Sequence, residues 1–593
     1  MDRLNQQMET INGLSAYAGF FSLLWTTWFL TSAYDVRFVT DSIFERCCRA
    51  VHLGVLVGFV TVSPNFNLAR QDSQVFQTFS LILMVSRMCL GIEYGSIFLQ
   101  AWKYKKTRWQ LATMSGLNFF NGFVYLGVSF RFSPDNPRLF FSWYAVCAVE
   151  LITVMFIAVT YPILSFQGTP LIRRLSLLTL IIFGEGITVA CSNITQVINA
   201  QGNSAWTSGT IGTVTACVTI TYLAFMLYFD SVSRLQLPPW HQLSWAILHF
   251  PLHLALTLFT EGCSQFIIFW KATEVENIII SEWNNLLLEA VEESTQDFSQ
   301  PFRAWLDEYF DTVPPLYLMY RFQLNDTLDE IATLDGTSLE TLRDVVRTGN
   351  ISAINEATEN DSRIKQAVLD WTTMSFVVMN IASAELGLDY YEDELQARGV
   401  VGEAASEALG TLDTQLDVSY RGFFRMRVVF QYTFACGGAV IGLFAILSAI
   451  GRQEKWTRWA VLRTVINLVI AVCVALVAAL TQIGDLPTAL FLMTPWVLPP
   501  LAILFFLLLV LHHLPEGPFS RCLSVKRWRK SKGESEKREG PEGHVEERDV
   551  ESANPGAVLS EERIGDAGVS SEGTLVAKDA PTTESSARGS RSG

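Results

Sequence analysis

The sequence is poor in charged residues and contains no recognisable enzyme motif. Only 17% of its 593 residues are charged and 50% are hydrophobic, whereas soluble proteins carry about 25% charged residues. We find no Walker A sequence, no dinucleotide-binding glycine fingerprint, no G-x-S-x-G nucleophile elbow and no zincin motif. The composition excludes an ordinary soluble protein. Because an enzyme function would have no residues to carry it, we expect that the protein is not an enzyme and uses no cofactor.

The cysteines show neither a disulfide framework nor a CxxC pair, although the chain has ten of them. All lie in or near apolar segments, and we expect most to be packed as small apolar residues. Cys522, which lies beside basic residues after the last apolar segment, is a candidate for palmitoylation.

Long apolar segments predict an all-α, polytopic transmembrane bundle. A membrane-spanning helix needs about 20 apolar residues, because the hydrocarbon core is ~30 Å thick. We expect about eleven such helices, eight before and three after an acidic insert. The candidate spans are 13–33, 49–65, 75–100, 110–130, 139–164, 174–198, 206–229, 244–270, 424–450, 457–481 and 489–512.

Basic residues in the short loops predict the orientation, because such residues concentrate on the cytosolic side. One set of alternate loops contains Arg37, Arg46, Arg49, Lys103, Lys105, Lys106, Arg108, Arg173, Arg174, Arg234, Arg452 and Lys455. The opposite loops have few basic residues. We therefore expect the N-terminus outside, the C-terminus in the cytosol, and a multi-pass protein of the plasma membrane or an endomembrane.

The net charge of −15 is distributed unevenly. Residues 272–420 alone carry a net charge of −22, so that the rest of the chain is mildly basic. We predict four regions, namely an eight-helix membrane region (1–271), an acidic and mostly helical non-cytosolic insert (272–423), a three-helix membrane region (424–512) and a disordered cytosolic tail (513–593). The tail is rich in Gly, Ser, Glu and Pro, a composition that cannot bury enough surface to fold.

Three glycosylation acceptor triplets lie in the insert and agree with its predicted position outside the cytosol. They begin at Asn325, Asn350 and Asn360. Each triplet is a weak signal alone, and together they predict a glycoprotein whose helical insert caps the membrane body.

Ionisable residues inside the predicted spans are the main candidates for function, because charges at bilayer depth are costly and usually paired or functional. Near mid-depth lie Arg87, Glu150, Glu185 and Glu261; nearer the cytosolic end lie Glu93, His249 and His253. One deep arginine cannot neutralise three deep glutamates. An Arg–Glu pair can be a purely structural clamp, whereas the remaining glutamates must be protonated, solvated, cation-bound or hydrogen-bonded.

Glu185 lies between Gly184 and Gly186 inside a predicted helix. The two glycines remove bulk beside the carboxyl group, which allows a neighbouring helix, water or an ion to come close. The alternative is that the glycines only mark a tight helix crossing. The sequence does not separate these interpretations.

His249 and His253 are four residues apart and share one face of the eighth predicted helix. This spacing can ligate a metal, but Pro251 between them favours local bending, and the glutamate of HExxH is absent. A packing or hydrogen-bonding role is the favoured interpretation, and we predict no metal site.

Three segments resemble the low-temperature-requirement A (LtrA) family in its fungal branch. They are WTTWFLTSAYDVRFVTDSIFERCCRAVHLGVLVGF (25–59), RRLSLLTLIIFGEGI (173–187) and LHFPLHLALTLFTEG (248–262). Glu185 matches the glutamate that follows glycine in this family. The resemblance implies a polytopic membrane protein, without a settled substrate or reaction. The usual opening helix of the family, with an LFFDLVFV-like segment, is not matched before Ile11.

The leading hypothesis is a transporter-like or ion-conducting protein with a cluster of Arg87, Glu150, Glu185 and Glu261 inside the membrane. Glu185 would be the proton or cation site, Arg87 its counter-charge, and the other two glutamates relays or second ligands. The alternative is a non-transporting membrane scaffold or sensor that uses its cap and tail. The expected partners are the lipid bilayer and protons or a small cation, and not a nucleic acid.

Overall fold

In the computed structural model the described residues are 11–66, 73–131, 137–232, 237–292, 299–312, 319–333, 340, 344, 362–391, 411–453, 455–482 and 490–514. The chain divides into two units, residues 1–517 and 518–593, and the described residues all belong to the first. The predictions for Asn350, Asn360, Cys522 and nearly all of the tail lie outside the described residues.

The fold is all-α, as predicted, and every regular element in the described part of the chain is a helix. The main helices are α1 (Ile11–Phe38), α2 (Ile43–Val62), α3 (Ser73–Gln100), α4 (Lys105–Phe130), α5 (Phe141–Thr160), α6 (Leu171–Gln201), α7 (Ser208–Val232), α8 (Pro239–Glu292), α9 (Gln300–Thr312), α10 (Met319–Ala332), α11 (Ser362–Glu385), α12 (Leu412–Gly451), α13 (Arg458–Val477) and α14 (Pro499–His513).

Nine helices of the described chain are long and apolar enough to cross a membrane, so the protein is a multi-pass membrane protein. They are α2, α3, α5, α6, α7, α8, α11, α12 and α13. Helices α1 and α4, on which two further spans were predicted, are long enough at 28 and 26 residues. They are not among the nine because polar and aromatic side chains lower their mean hydropathy. The last predicted span contains a helix of only 15 residues, α14.

The outward surfaces of these helices are apolar, as contact with lipid requires. On α13, for example, Val465, Val469 and Val472 are 49%, 57% and 58% exposed. In water such a surface would be an aggregation site, whereas in a bilayer it is compatible with its surroundings. The exposed face therefore supports membrane insertion independently of hydropathy.

The predicted region boundaries at 271/272 and 423/424 fall inside helices. Helix α8 continues without a break from Pro239 to Glu292, and α12 runs from Leu412 to Gly451. Their 54 and 40 residues correspond to roughly 80 Å and 60 Å of helix, far more than the ~30 Å of hydrocarbon. Hydropathy changes where a helix leaves the lipid, but its backbone hydrogen bonds continue. The membrane body and the insert therefore share two helices.

Helix α11 lies in the predicted insert and packs against these two extensions. Its Asn380 side chain donates to the Gln415 side chain of α12 at 2.8 Å, and its Ser383 hydroxyl donates to Glu276 of α8 at 2.7 Å. Residues Arg363–Glu385 also have the length and hydropathy of a membrane span, which the sequence analysis did not expect. Their apolar face is buried against α8 and α12.

Glycine allows α12 and α13 to approach closely. A Cβ at Gly438 would lie 2.5 Å from the Ala471 carbonyl oxygen and 2.7 Å from the Ala475 nitrogen. Those are backbone atoms, which cannot turn away as a side chain can. One turn later, a Cβ at Gly442 would make an ordinary contact of 3.5 Å with the Ala471 Cβ. Gly438 is thus the contact point of the crossing and Gly442 is not.

Candidate functional site

Arg87 and Glu150 form a buried ion pair between α3 and α5. The Arg87 Nε donates to Glu150 Oε2 at 2.7 Å, and the two side chains are 0% and 1% exposed. A second guanidinium nitrogen, Nη1, donates to the hydroxyls of Ser86 at 3.1 Å and of Thr27 on α1 at 3.4 Å. We call Thr27, Arg87 and Glu150 the central cluster.

The central cluster keeps polar atoms that are buried and have no hydrogen-bond partner among the described residues. They are Arg87 Nη2, Glu150 Oε1 and, on α4, Asn121 Nδ2. The Arg87 guanidinium also lies 6.0 Å from the ring centroid of Tyr125, one turn after Asn121. Buried polar atoms are nearly always paired, and exceptions call for an explanation such as water, an ion or a functional role. The Arg87–Glu150 pair therefore leaves one nitrogen and one oxygen without a protein partner among the described residues.

Arg87 pairs with Glu150 and not with Glu185 among the described contacts. Glu185 and Glu261 flank the crossing of α6 and α8, where a Cβ at Gly186 would lie 2.7 Å from the Thr260 Cβ. Both glutamates interact electrostatically with Tyr17 of α1, which is 2% exposed. Glu261 is buried and accepts a hydrogen bond from Gln265 at 2.9 Å, whereas Glu185 is exposed on α6. We call Tyr17, Glu185 and Glu261 the outer cluster, after the predicted orientation.

The two glycines beside Glu185 have different surroundings. A Cβ at Gly186 would lie 2.7 Å from the Thr260 Cβ of α8, whereas nothing lies within 4 Å of a Cβ at Gly184. Gly186 thus marks a helix crossing, and Gly184 leaves open space beside the carboxyl group. The tight-crossing interpretation therefore applies to Gly186, and the open-space interpretation applies to Gly184.

Glu93 belongs to a third group at the other end of α1. It lies 3.2 Å from the His52 Nε2 of α2, and the two side chains are 2% and 9% exposed. Nearby, the Tyr34 hydroxyl of α1 donates to Glu45 at 2.8 Å. We call Tyr34, Glu45, His52 and Glu93 the inner cluster.

Helix α1 contributes one residue to each of the three clusters. Its Tyr17, Thr27 and Tyr34 are spaced by ten and seven residues, which correspond to roughly 15 Å and 10 Å along the helix axis. Together these steps cover most of the ~30 Å hydrocarbon core. The sequence analysis named Glu93, Glu150, Glu185 and Glu261 but missed Glu45 and His52. It also missed Tyr17, Thr27 and Tyr34, because single hydroxyl groups carry no pattern until neighbouring helices are known.

The ring nitrogens of His249 are both hydrogen-bonded. Nδ1 lies 2.8 Å from the Trp245 carbonyl oxygen, and Nε2 lies 2.8 Å from the Tyr228 hydroxyl. Because a carbonyl oxygen only accepts, Nδ1 carries the proton and Nε2 accepts from Tyr228. His249 therefore has no nitrogen available for a metal.

His253 is satisfied in the same way. The Trp25 indole donates to Nδ1 at 3.0 Å, and Nε2 lies 2.8 Å from the Thr179 hydroxyl. An indole N–H can only donate, so Nδ1 is unprotonated and Nε2 donates to Thr179. These hydrogen bonds join α1, α6 and α8, which supports the hydrogen-bonding interpretation of the pair.

Replacing Trp25 by phenylalanine is expected to destabilise the bundle. The change removes the indole donor and leaves His253 Nδ1 buried without a partner, at a cost of ~1–3 kcal/mol. Thermal unfolding of the detergent-purified protein measures this loss. The control is Trp240→Phe, since Trp240 is 65% exposed on α8. Equal unfolding temperatures for the two variants would contradict the role assigned to the Trp25 hydrogen bond.

The structure also brings two cysteines, which the sequence analysis interpreted as packing, close to Glu93. The Cys48 and Cys89 thiols and a Glu93 oxygen lie within 4.8 Å of one another, all buried. Cys48 and His52 are four apart on α2, as are Cys89 and Glu93 on α3. This matched spacing was visible in the sequence, but it acquires meaning only once α2 and α3 are known to pack side by side.

Comparison with known proteins gives one match. Residues 2–279 match the family model described as bacterial low temperature requirement A protein (LtrA). A search of curated proteins and a search of solved structures found no match. The matched segment contains α1–α7 and most of α8, and hence all three clusters.

Proposed function

Since residues 2–279 place this chain in the LtrA family of membrane proteins, we propose that this family region forms a proton pathway and that the protein is transporter-like. The observation that supports the proposal is the arrangement of the three clusters along α1. Ionisable side chains of neighbouring helices lie beside α1 near both of its ends and near its middle. From the first cluster to the last, the distance along α1 approaches the thickness of the hydrocarbon core.

The central cluster favours a proton over a metal cation. The Arg87 guanidinium lies 2.7 Å from the Glu150 carboxylate, and its positive charge repels a second cation from the same oxygen atoms. The same charge also opposes protonation, but a proton forms an O–H bond with one oxygen, for which Glu150 Oε1 suffices, whereas a metal ion needs several oxygen ligands. The sequence analysis expected protons or a small cation, and of these two we propose protons.

Glu150 is the proposed proton carrier and Arg87 its counter-charge. When Glu150 is ionised, the ion pair stabilises it in the membrane. When a proton binds, the attraction to Arg87 weakens, and the guanidinium keeps its hydrogen bonds to Thr27 and Ser86. The pair thus has two states, one with Glu150 ionised and bound to Arg87 and one with Glu150 protonated and Arg87 held by the hydroxyls alone, and it separates the outer from the inner half of the pathway.

The experiment that tests the proposal is proton flux into liposomes reconstituted with the full-length protein. A potassium gradient with valinomycin sets the membrane potential, and an enclosed pH-sensitive dye reports protons. We expect flux above that of protein-free liposomes. Flux equal to the protein-free control would overturn the proposal and favour the scaffold or sensor, which requires no movement of ions.

Glu185→Gln tests the outer cluster in the same assay. Glu185 is exposed, and its charge and that of the buried Glu261 both act on Tyr17. We expect reduced flux, but a smaller loss than at Glu150, because the outer cluster keeps a second carboxyl group in Glu261. Unchanged flux would remove Glu185 from the pathway and leave its outer end to Glu261.

A further inference from the structure

Two helices present four metal-binding side chains to each other at the inner end of the bundle. Cys48 and His52 lie on α2, and Cys89 and Glu93 lie on α3. The Cys89 thiol is 3.8 Å from the Cys48 carbonyl oxygen, which shows how close the helices are here. Spacing by four residues places each pair on one face of its helix.

Three of these groups already have nearly the geometry of a metal site. The two sulfur atoms and a Glu93 oxygen all lie within 4.8 Å of one another. Two thiolates on one tetrahedral zinc ion lie roughly 3.8 Å apart, because each Zn–S bond is ~2.3 Å long. The limit of 4.8 Å exceeds this separation by about 1 Å, which side-chain rotations would have to close.

We propose that Cys48, Cys89 and Glu93 bind one zinc ion, and that His52 positions Glu93. A ligating carboxylate is usually held by a hydrogen bond from a neighbouring group, and the His52 Nε2 lies 3.2 Å from Glu93 Oε2. The other Glu93 oxygen is then available for the ion. Three protein ligands leave a fourth coordination position.

The choice of zinc follows from the ligands. Two thiolates exclude the hard cations Mg²⁺ and Ca²⁺, and a carboxylate favours zinc over the softer Cu⁺. The ion also cancels two of the three negative charges that the ligands carry once the thiols are deprotonated. Cys48 and Cys89 are each 7% exposed and Glu93 is 2% exposed, so the site would be buried, with its fourth coordination position left for a small ligand such as water. Glu93 and His52 also belong to the inner cluster of the proposed pathway, but zinc binding needs neither the central cluster nor proton flux and is measured without them.

The test is metal analysis of the full-length, tag-free protein purified in detergent without chelators, followed by replacement with cobalt. We expect about one zinc ion per chain, and thiolate-to-cobalt absorption bands in the Co²⁺-loaded protein. The variants Cys48→Ser and Cys89→Ser should lose both signals. Cys47→Ser is the matched control, because Cys47 is the exposed neighbour of Cys48, and it should keep both.

A second measurement covers variants that fold poorly. Addition of a chelator should lower the unfolding temperature of the wild-type protein and of Cys47→Ser, but not that of the Cys48→Ser/Cys89→Ser double variant. A wild-type protein without bound zinc and without cobalt–thiolate bands, or a double variant that keeps them, would overturn the proposal. The flux assay is a separate readout, so failure of one proposal does not decide the other.

Discussion

Glu150→Gln is expected to reduce proton flux on the order of a hundredfold or more, the scale of losing a positioned acid–base group. Glutamine has nearly the same shape as glutamate but cannot carry the proton. Dye-reported proton flux into reconstituted liposomes measures the effect. Flux close to that of the wild-type protein would exclude Glu150 as the proton carrier.

The same variant is expected to be less stable, which needs a control of its own. Removing one partner of a buried ion pair leaves an uncompensated charge and costs ~3–5 kcal/mol. Glu274→Gln is the matched control, because Glu274 also pairs with a buried cation, Lys271, at 2.9 Å. Glu274 lies outside the three clusters, and its variant should keep the flux while losing stability.

The double variant Arg87→Met/Glu150→Leu separates stability from function. Replacing a buried ion pair by apolar residues of similar size is often neutral or stabilising by ~1–4 kcal/mol. We expect a folded protein without proton flux. A double variant that still conducts protons would reduce the Arg87–Glu150 pair to a structural clamp.

Gly438→Ala is expected to lower the stability of the bundle by forcing α12 and α13 apart. The added methyl group meets the backbone of α13 at 2.5 Å and 2.7 Å, so one of the two helices must move. Overpacking costs ~1–3 kcal/mol in general, and we expect the upper end because no side chain can rotate away. Thermal unfolding of the purified protein is the measurement.

Gly442→Ala is the control for this prediction, since its methyl group would make an ordinary contact of 3.5 Å. Alanine is also the better helix former, by roughly 0.5–1 kcal/mol. The two variants should therefore change stability in opposite directions. Equal losses would show that α12 and α13 do not cross at Gly438.

Much of the fold could be predicted from the sequence. Apolar segments of about 20 residues locate helices directly, because the bilayer requires them, and the all-α multi-pass architecture is confirmed. The ends of the helices could not be located in this way. The continuation of α8 to Glu292 depends on contacts with α11, and the membrane-like composition of Arg363–Glu385 was masked by the acidic residues around it.

The candidate site was less predictable, since it depends on which helices are neighbours. Arg87 and Glu150 were recognised as deep charges, but nothing in one sequence pairs α3 with α5. Glu185 stood out because of its flanking glycines, yet it lies on an exposed face. The thiols of Cys48 and Cys89 looked like packing because they lie on two different helices, and one sequence does not show that α2 and α3 are neighbours.

Helix α8 also connects events outside the lipid to the ionisable groups inside it. It contains Glu261 of the outer cluster and continues to Glu292, and its Trp283 packs against Trp305 and Trp371. Pro251 lies inside the helix, where a backbone hydrogen bond is missing and bending is easiest. A tilt of ~10° there would displace the far end, 41 residues away, by roughly 10 Å. Glu261 and the end of α8 lie on the same side of Pro251, so a change in the angle at Pro251 would move both together.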